Sequence, residues 1–120
     1  KAELAWQLNS MALPSQNRLS LREYRGRFFG QGYSYYSPVL QLIVLKETST
    51  SPQFAVSISK KITKKAHQRN KLRRQILQLV QNKLLLFPSY KFLILPKKTA
   101  IFPTIVDLRS SIEYFVSKLK

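Results

Sequence analysis

Fifteen consecutive residues constrain this chain more than any others. From Lys60 to Arg74 it carries Lys60, Lys61, Lys64, Lys65, Arg69, Lys71, Arg73 and Arg74, with no acidic residue among them. Within and beyond that stretch Leu72, Ile76, Leu79, Val80 and the aliphatic stem of Lys83 recur on one face at about 100° per residue. Such a pattern calls for an amphipathic helix, predicted over about 64–86, with one stripe in a core and the opposite face outside it. His67, Asn70, Lys71 and Arg74 lie away from the apolar stripe, and Arg69 and Arg73 flank its edge. A lysine-rich face can simply be solvated. Here, however, cations stand at helical spacing with no Glu to relieve them, and like charges at i,i+4 repel. An anionic partner would lift that repulsion.

The rest of the chain says which partner and which chemistry. Across 120 residues there are 21 Lys+Arg against 5 Asp+Glu, a net charge of +16. A field of that size draws polyanions, nucleic acid before membrane surface. At 44% hydrophobic and 12% aromatic, the chain can still build a core. With no cysteine, a disulfide framework, a thiolate metal site and a Cys nucleophile are all excluded, which fits a cytoplasmic protein. His67 is the single histidine, so neither an ordinary His-rich zinc site nor a two-histidine ribonuclease can be built. The acids Glu3, Glu23, Glu47, Asp107 and Glu113 are scattered over the length, a poor start for the converging carboxylates of a two-metal nuclease. The apolar stretches around Val39–Leu45 and Leu84–Phe87 fall far short of the ~20 residues of a spanning helix. The N-terminus lacks the layout of a signal peptide. No membrane role is expected.

One domain is expected over residues 11–120, with 1–10 an N-terminal extension ahead of Met11. Leu21, Tyr24 and Phe28 predict a short helix that Gly30 and Gly32 close. Val39–Leu45 is a strand by aliphatic and β-branched content. Glu47–Pro52 is a turn, and Phe54–Ser59 alternates large apolar with small residues; the short connection predicts that these two strands pair as a hairpin. Pro88 ends the long helix, Phe92–Leu95 is a short buried strand, and Ile105, Leu108, Ile112, Phe115, Val116 and Leu119 trace a final helix. The fold class is α+β: a two-layer sandwich of helices on an about four-stranded mixed sheet, in the order α-β-β-β-α-β-α.

The residue order at the basic stretch narrows the partner. Ser57-Ile58-Ser59-Lys60-Lys61, followed by Ala66-His67-Gln68-Arg69-Asn70-Lys71-Leu72-Arg73-Arg74, closely resembles the signature of the bacterial ribonuclease P protein subunit. That family has a strand ending in Ser-Lys-Lys and a helix bearing Arg-Asn followed by basic residues. Leu13-Pro14 and Asn17-Arg18-Leu19 are similar to its opening, Phe29 and Gly32 to the close of its first helix, and Lys97-Lys98 to its last basic turn. Leu77 and Gln78 depart from it, standing where many members carry a further Arg and an acid. So do Arg25, where a Phe is common, and Ile43, where a Tyr is.

The resemblance implies an RNA-binding subunit that assists a catalytic RNA in removing the 5′ leader of precursor tRNA, one protein per RNA. It also implies a left-handed crossover in the βαβ unit. No cofactor would be bound by the protein alone; Mg²⁺ would be held mainly by the RNA. No residue of the chain is expected to be catalytic. Lys60, Lys61, Lys64, Lys65, His67, Arg69, Asn70, Lys71, Arg73 and Arg74 would hold the RNA subunit. Tyr24, Phe29, Ile43, Ser57 and Ser59 would meet the leader on the open sheet face, where strand parity places Gln41, Ile43 and Leu45 together and Ala55, Ser57 and Ser59 together. The alternative is a ribosomal or other structural RNA-binding protein with no role in cleavage.

Overall fold

The computed structural model describes residues 14–48, 50–98 and 103–119, so the extension at 1–10 lies outside the described residues. Seven elements follow the expected order: α1 (Leu21–Gln31), β1 (Tyr33–Tyr36), β2 (Leu40–Leu45), β3 (Gln53–Val56), α2 (Ala66–Asn82), β4 (Lys91–Pro96) and α3 (Ile105–Lys118). The long helix is shorter at both ends than its periodicity suggests. At its start, the Thr63 hydroxyl donates to Gln68 Oε1 and accepts from the Lys65 N–H, holding residues 63–65 in a turn. At its end, Lys83 leaves the helix, and Leu84–Leu86 form a 3₁₀ turn ahead of Pro88.

The predicted hairpin of β2 with β3 is corrected by the strand order, β1-β2-β4-β3. β4 lies between the two, antiparallel to β2 (Leu42 opposite Ile94) and parallel to β3 (Phe54 opposite Phe92). The reason is visible in side-chain distribution. The strand sequences Leu-Gln-Leu-Ile-Val-Leu and Lys-Phe-Leu-Ile-Leu-Pro are apolar on both faces and suit interior positions. Once α2 lays its stripe on the sheet, β4 returns parallel beside β3. The hairpin partner of β2 is β1, whose Tyr-Ser-Tyr-Tyr carries little aliphatic signal.

Two apolar clusters result. On one face Leu40, Leu42, Val44, Phe54, Phe92 and Ile94 lie beneath Leu72, Ile76, Leu79 and Val80 of α2 and Leu108, Ile112, Phe115 and Val116 of α3. Phe54 packs against Phe87 and Phe92 with ring centroids 4.9 Å apart in each pair. On the other face α1 drops Phe28 onto Ile43, Leu45, Ala55 and Leu93. Glu47 ties this second layer down, pairing with Arg27 of α1 and, at 3.9 Å, with Lys91 of β4. α3 starts at a reciprocal cap, the Thr104 hydroxyl accepting from the Asp107 N–H and the Asp107 carboxylate from the Thr104 N–H.

The two glycines expected to close α1 do different things. Gly30 lies inside the helix with open space around it. Gly32 follows the helix at φ −76°, which any residue adopts, but a Cβ there would run into Ile43 and the Phe28 carbonyl. It is glycine for lack of room. Gly32→Ala should therefore destabilise the fold by ~1–3 kcal/mol in urea unfolding. Gly30→Ala should be neutral or stabilise by ~0.5–1 kcal/mol through helix propensity.

Candidate nucleic-acid interface

The basic residues reach one surface because β3 hands directly into α2. Past the end of β3, the Ser57 N–H still donates to the Ile94 carbonyl (3.0 Å). The chain then turns, with Ser59 Oγ accepting from the Lys61 N–H at 3.2 Å and the Ser59 carbonyl from the Ile62 N–H at 3.1 Å. Arg69 reaches back from α2 and donates through Nη1 to the carbonyls of Thr63 (3.0 Å) and Lys64 (2.9 Å). One guanidinium thus clamps the turn to the helix.

Around that clamp Lys60, Lys61, Lys64, Lys65, His67, Asn70, Lys71 and Arg74 are exposed, while Arg69 and Arg73 are half-buried. Arg73 Nη1 donates to Asn70 Oδ1 at 3.0 Å, leaving the Asn70 amide group to face outward as a donor. Among the described residues the ion pairs involve Arg27, Lys83 and Lys91, and no cation from Lys60 to Arg74. The start of α2 adds to the same field. It has neither a side-chain cap nor an acid in its first turn, so among the described residues the Ala66 and His67 N–H groups and the positive end of the helix dipole remain uncompensated. Phosphate oxygens suit such a corner.

A second surface adjoins it. Strand parity puts Ser34, Tyr36, Gln41, Ile43, Leu45, Leu93 and Leu95 on the α1 face of the sheet, with Ala55 and Ser57 beside them. α1 covers only the half near Lys91. The half that α1 leaves uncovered runs from the exposed Tyr36 across the half-buried Gln41, Leu95 and Ser57, with Leu95 at the border of the covered cluster. The ladder continues one residue past β4, the Lys97 N–H donating to the Val39 carbonyl. Lys97 Nζ donates to the Ser37 carbonyl at 3.0 Å and stands 5.7 Å from the centre of the Tyr36 ring. The Gln41 amide lies 3.4 Å from the Tyr36 hydroxyl and from Ser34 Oγ.

The residues assigned to the leader separate on this geometry. Ser57 lies in the uncovered half and Ser59 at its rim, where its hydroxyl shapes the turn. Phe29 is 55% exposed on α1 with Arg25 over its ring. Tyr24 is half-buried at the far end, between Arg27 and Lys91. Ile43 is corrected: at 2% exposure it lies beneath Phe28, and its side chain is closed to any strand crossing the sheet. Tyr36, Gln41 and Lys97 were not selected from sequence, although parity alone links Gln41 to the right face. Tyr36 needed β1 to be recognised first.

Among the described residues the carboxylates do not form a metal site. Glu47 is held by Arg27 and Lys91, Glu113 faces Lys83, and Asp107 caps α3. Among the described residues no three acidic or histidine side chains converge.

The chain is similar to known proteins in sequence and in fold. The family model described as Ribonuclease P matches residues 13–120. The chain is 37% identical over 75 residues to the ribonuclease P protein component of Microcystis aeruginosa, covering 59% of this chain and 62% of that protein. It is 41% identical over 71 residues to that of Rippkaea orientalis, covering 55% and 56%. It therefore spans somewhat under two thirds of the length of these curated relatives. Its fold is similar to that of the RNase P protein from Thermotoga maritima, with a TM-score of 0.78 at 18% identity over 86% of this chain and 97–100% of that one across two structures at TM-scores of 0.76 and 0.78. The Staphylococcus aureus protein superimposes with a TM-score of 0.75, also at 18% identity, over 86% of this chain and 96% of that one.

The clamp separates Arg69 from its neighbours in a measurable way. Arg69→Ala should lose ~1–3 kcal/mol of folding stability, since two carbonyls lose a charged donor. Arg74→Ala, at an exposed position, should leave stability within ~0.5 kcal/mol. Urea unfolding of the two variants makes the comparison; equal stabilities would mean that the clamp contributes nothing.

Proposed function

Because the chain belongs to the ribonuclease P protein family, we propose that it is the protein subunit of that ribonucleoprotein, binding a catalytic RNA and the 5′ leader of precursor tRNA. The observation that carries this reading is the unpaired cationic face of α2 lying beside an uncovered half-sheet. One surface suits folded RNA and the other a single strand.

The division of labour follows from the donor groups. Lys60, Lys61, Lys64, Lys65, Lys71 and Arg74 neutralise phosphates, with His67 at their edge. Asn70 and Arg73, joined by their hydrogen bond, present a fixed donor pair to the RNA subunit. Arg69 acts chiefly by positioning the turn that carries the lysines. The leader runs over Ser57, Leu95 and Gln41 towards Tyr36, whose ring stacks a base irrespective of its identity. Lys97 then meets a phosphate. Phe29 is a further stacking surface at the margin.

Hydrolysis of the leader belongs to the RNA, together with the Mg²⁺ it requires, since Glu47, Asp107 and Glu113 each serve a contact of the fold and do not converge. One protein per RNA and a cytoplasmic setting complete the proposal. A structural RNA-binding role without cleavage would share the cationic face but has no use for the half-sheet.

Reconstitution tests this directly. Added to a bacterial ribonuclease P RNA at low magnesium, the chain should stimulate 5′ processing of precursor tRNA, and rigorously RNA-free protein should not cleave. Stimulation absent at saturating protein would reject the proposal. Binding to the RNA should weaken with salt at a log–log slope of roughly −4 to −7 if ~5–8 phosphates are neutralised. Asn70→Ala should weaken it by ~1 kcal/mol with the slope unchanged. Tyr36→Ala should reduce affinity for precursor tRNA by ~1–3 kcal/mol while sparing mature tRNA, which has no leader.

A further inference from the structure

At the end of the sheet, where Lys97 follows β4 towards α3, the fold forms an open cavity of about 510 Å³. Its volume falls within the ~300–1,000 Å³ of small-molecule sites. Tyr36 lines it from β1 and Tyr114 from α3; both rings are substantially exposed, at 57% and 44%. Ser37 and Ser111, both buried, are joined by a hydroxyl hydrogen bond of 2.7 Å and brace β1 against α3. Lys97 brings a cation whose ammonium is held by the Ser37 carbonyl. Asp107 supplies a carboxylate of which Oδ2 is engaged by the Thr104 N–H, and Oδ1 has no partner among the described residues. Ser110 adds a hydroxyl.

Two aromatic rings, one cation and one carboxylate around a cavity of this size match the parts of a nucleotide: a flat base, a phosphate and a hydrogen-bonding edge. Tyr36 and Lys97 also form the end of the uncovered half-sheet, so the cavity continues the single-strand surface. We propose that it takes one unpaired RNA nucleotide, with the base stacked against Tyr114 and the phosphate at Lys97. Asp107 meets the base edge. A carboxylate only accepts hydrogen bonds, so it favours bases with an exocyclic amino group. Uracil offers only an N3–H flanked by two carbonyl oxygens, which repel the carboxylate, and is disfavoured. This inference rests on the RNA-binding reading above but adds a base preference that reading does not contain.

The test uses the isotopically labelled full chain, titrated separately with AMP, GMP, CMP, UMP and ribose 5-phosphate while amide resonances are followed by NMR. At least one of the amino-bearing nucleotides should shift residues around Ser37, Lys97, Ser110 and Tyr114, and bind roughly fivefold or more tightly than UMP. Tyr114→Leu should weaken that binding about tenfold, and Tyr114→Phe should retain it. Equal binding of UMP overturns the role given to Asp107. Equal shifts from ribose 5-phosphate reduce the cavity to an anion site, and shifts confined to α2 remove it altogether. Affinity for the ribonuclease P RNA is measured on the same preparations. Loss of that affinity with nucleotide binding intact would reject the proposed function and leave the cavity standing; the reverse would reject only the cavity.

Discussion

The parallel pairing of β3 with β4, closed over by α2, governs where the charge of this protein ends up. A parallel pair needs a long crossover, and here the crossover carries the eight cations between Lys60 and Arg74. Phe54 and Phe92 stack on each other across that pair and meet Phe87 edge-on, while Leu72, Ile76, Leu79 and Val80 close over them. Because this apolar side is fully used, α2 has no freedom to roll. Its cationic face is held outward, and the turn before it is clamped by Arg69. Repulsion among the cations is the force that this packing has to overcome.

The second layer explains why the protein has two unlike surfaces rather than one basic patch. α1 is short and covers only half of its sheet face, anchored by Phe28 and by the pairing of Glu47 with Arg27 and Lys91. It crosses the strands from the Arg18–Phe54 bridge beside β3 to Tyr33 of β1, so Gln41 and Ser57 lie beyond its side. Gly32 sets the limit, since the chain must pass tightly against Ile43 and the Phe28 carbonyl before β1 begins. The uncovered half-sheet is thus a consequence of where a helix crosses. The neighbouring cavity at Tyr36, Lys97 and Tyr114 lies beside the Ser37–Ser111 hydrogen bond that braces the end of β1 against α3.

Much of this was legible in the order of residues. Apolar spacing marked all three helices, and the stripe Leu72–Ile76–Leu79–Val80 is buried as its period requires. The unopposed cations of 60–74 identified the charged face without any structure, since charge survives every choice of fold. Local chemistry also placed Gln41 and Ile43 on one side of β2, because side chains of a strand alternate whatever its neighbours are.

Packing alone settled which strand lies next to which, and which half of a face stays open. Connection length favoured β2 against β3, but pairing is settled by burial of both faces of β4, a condition that involves residues more than thirty positions apart. Ile43 passes from an expected contact to a buried anchor because α1 crosses above it, and nothing within β2 records that. Arg69 differs from Arg74 for the same reason: two identical charges on one helix acquire different roles once a carbonyl-bearing turn folds back onto one of them. Periodicity and charge are properties of a segment and can be read from it. Coverage, clamping and strand order belong to pairs of segments, and only packing brings those pairs together.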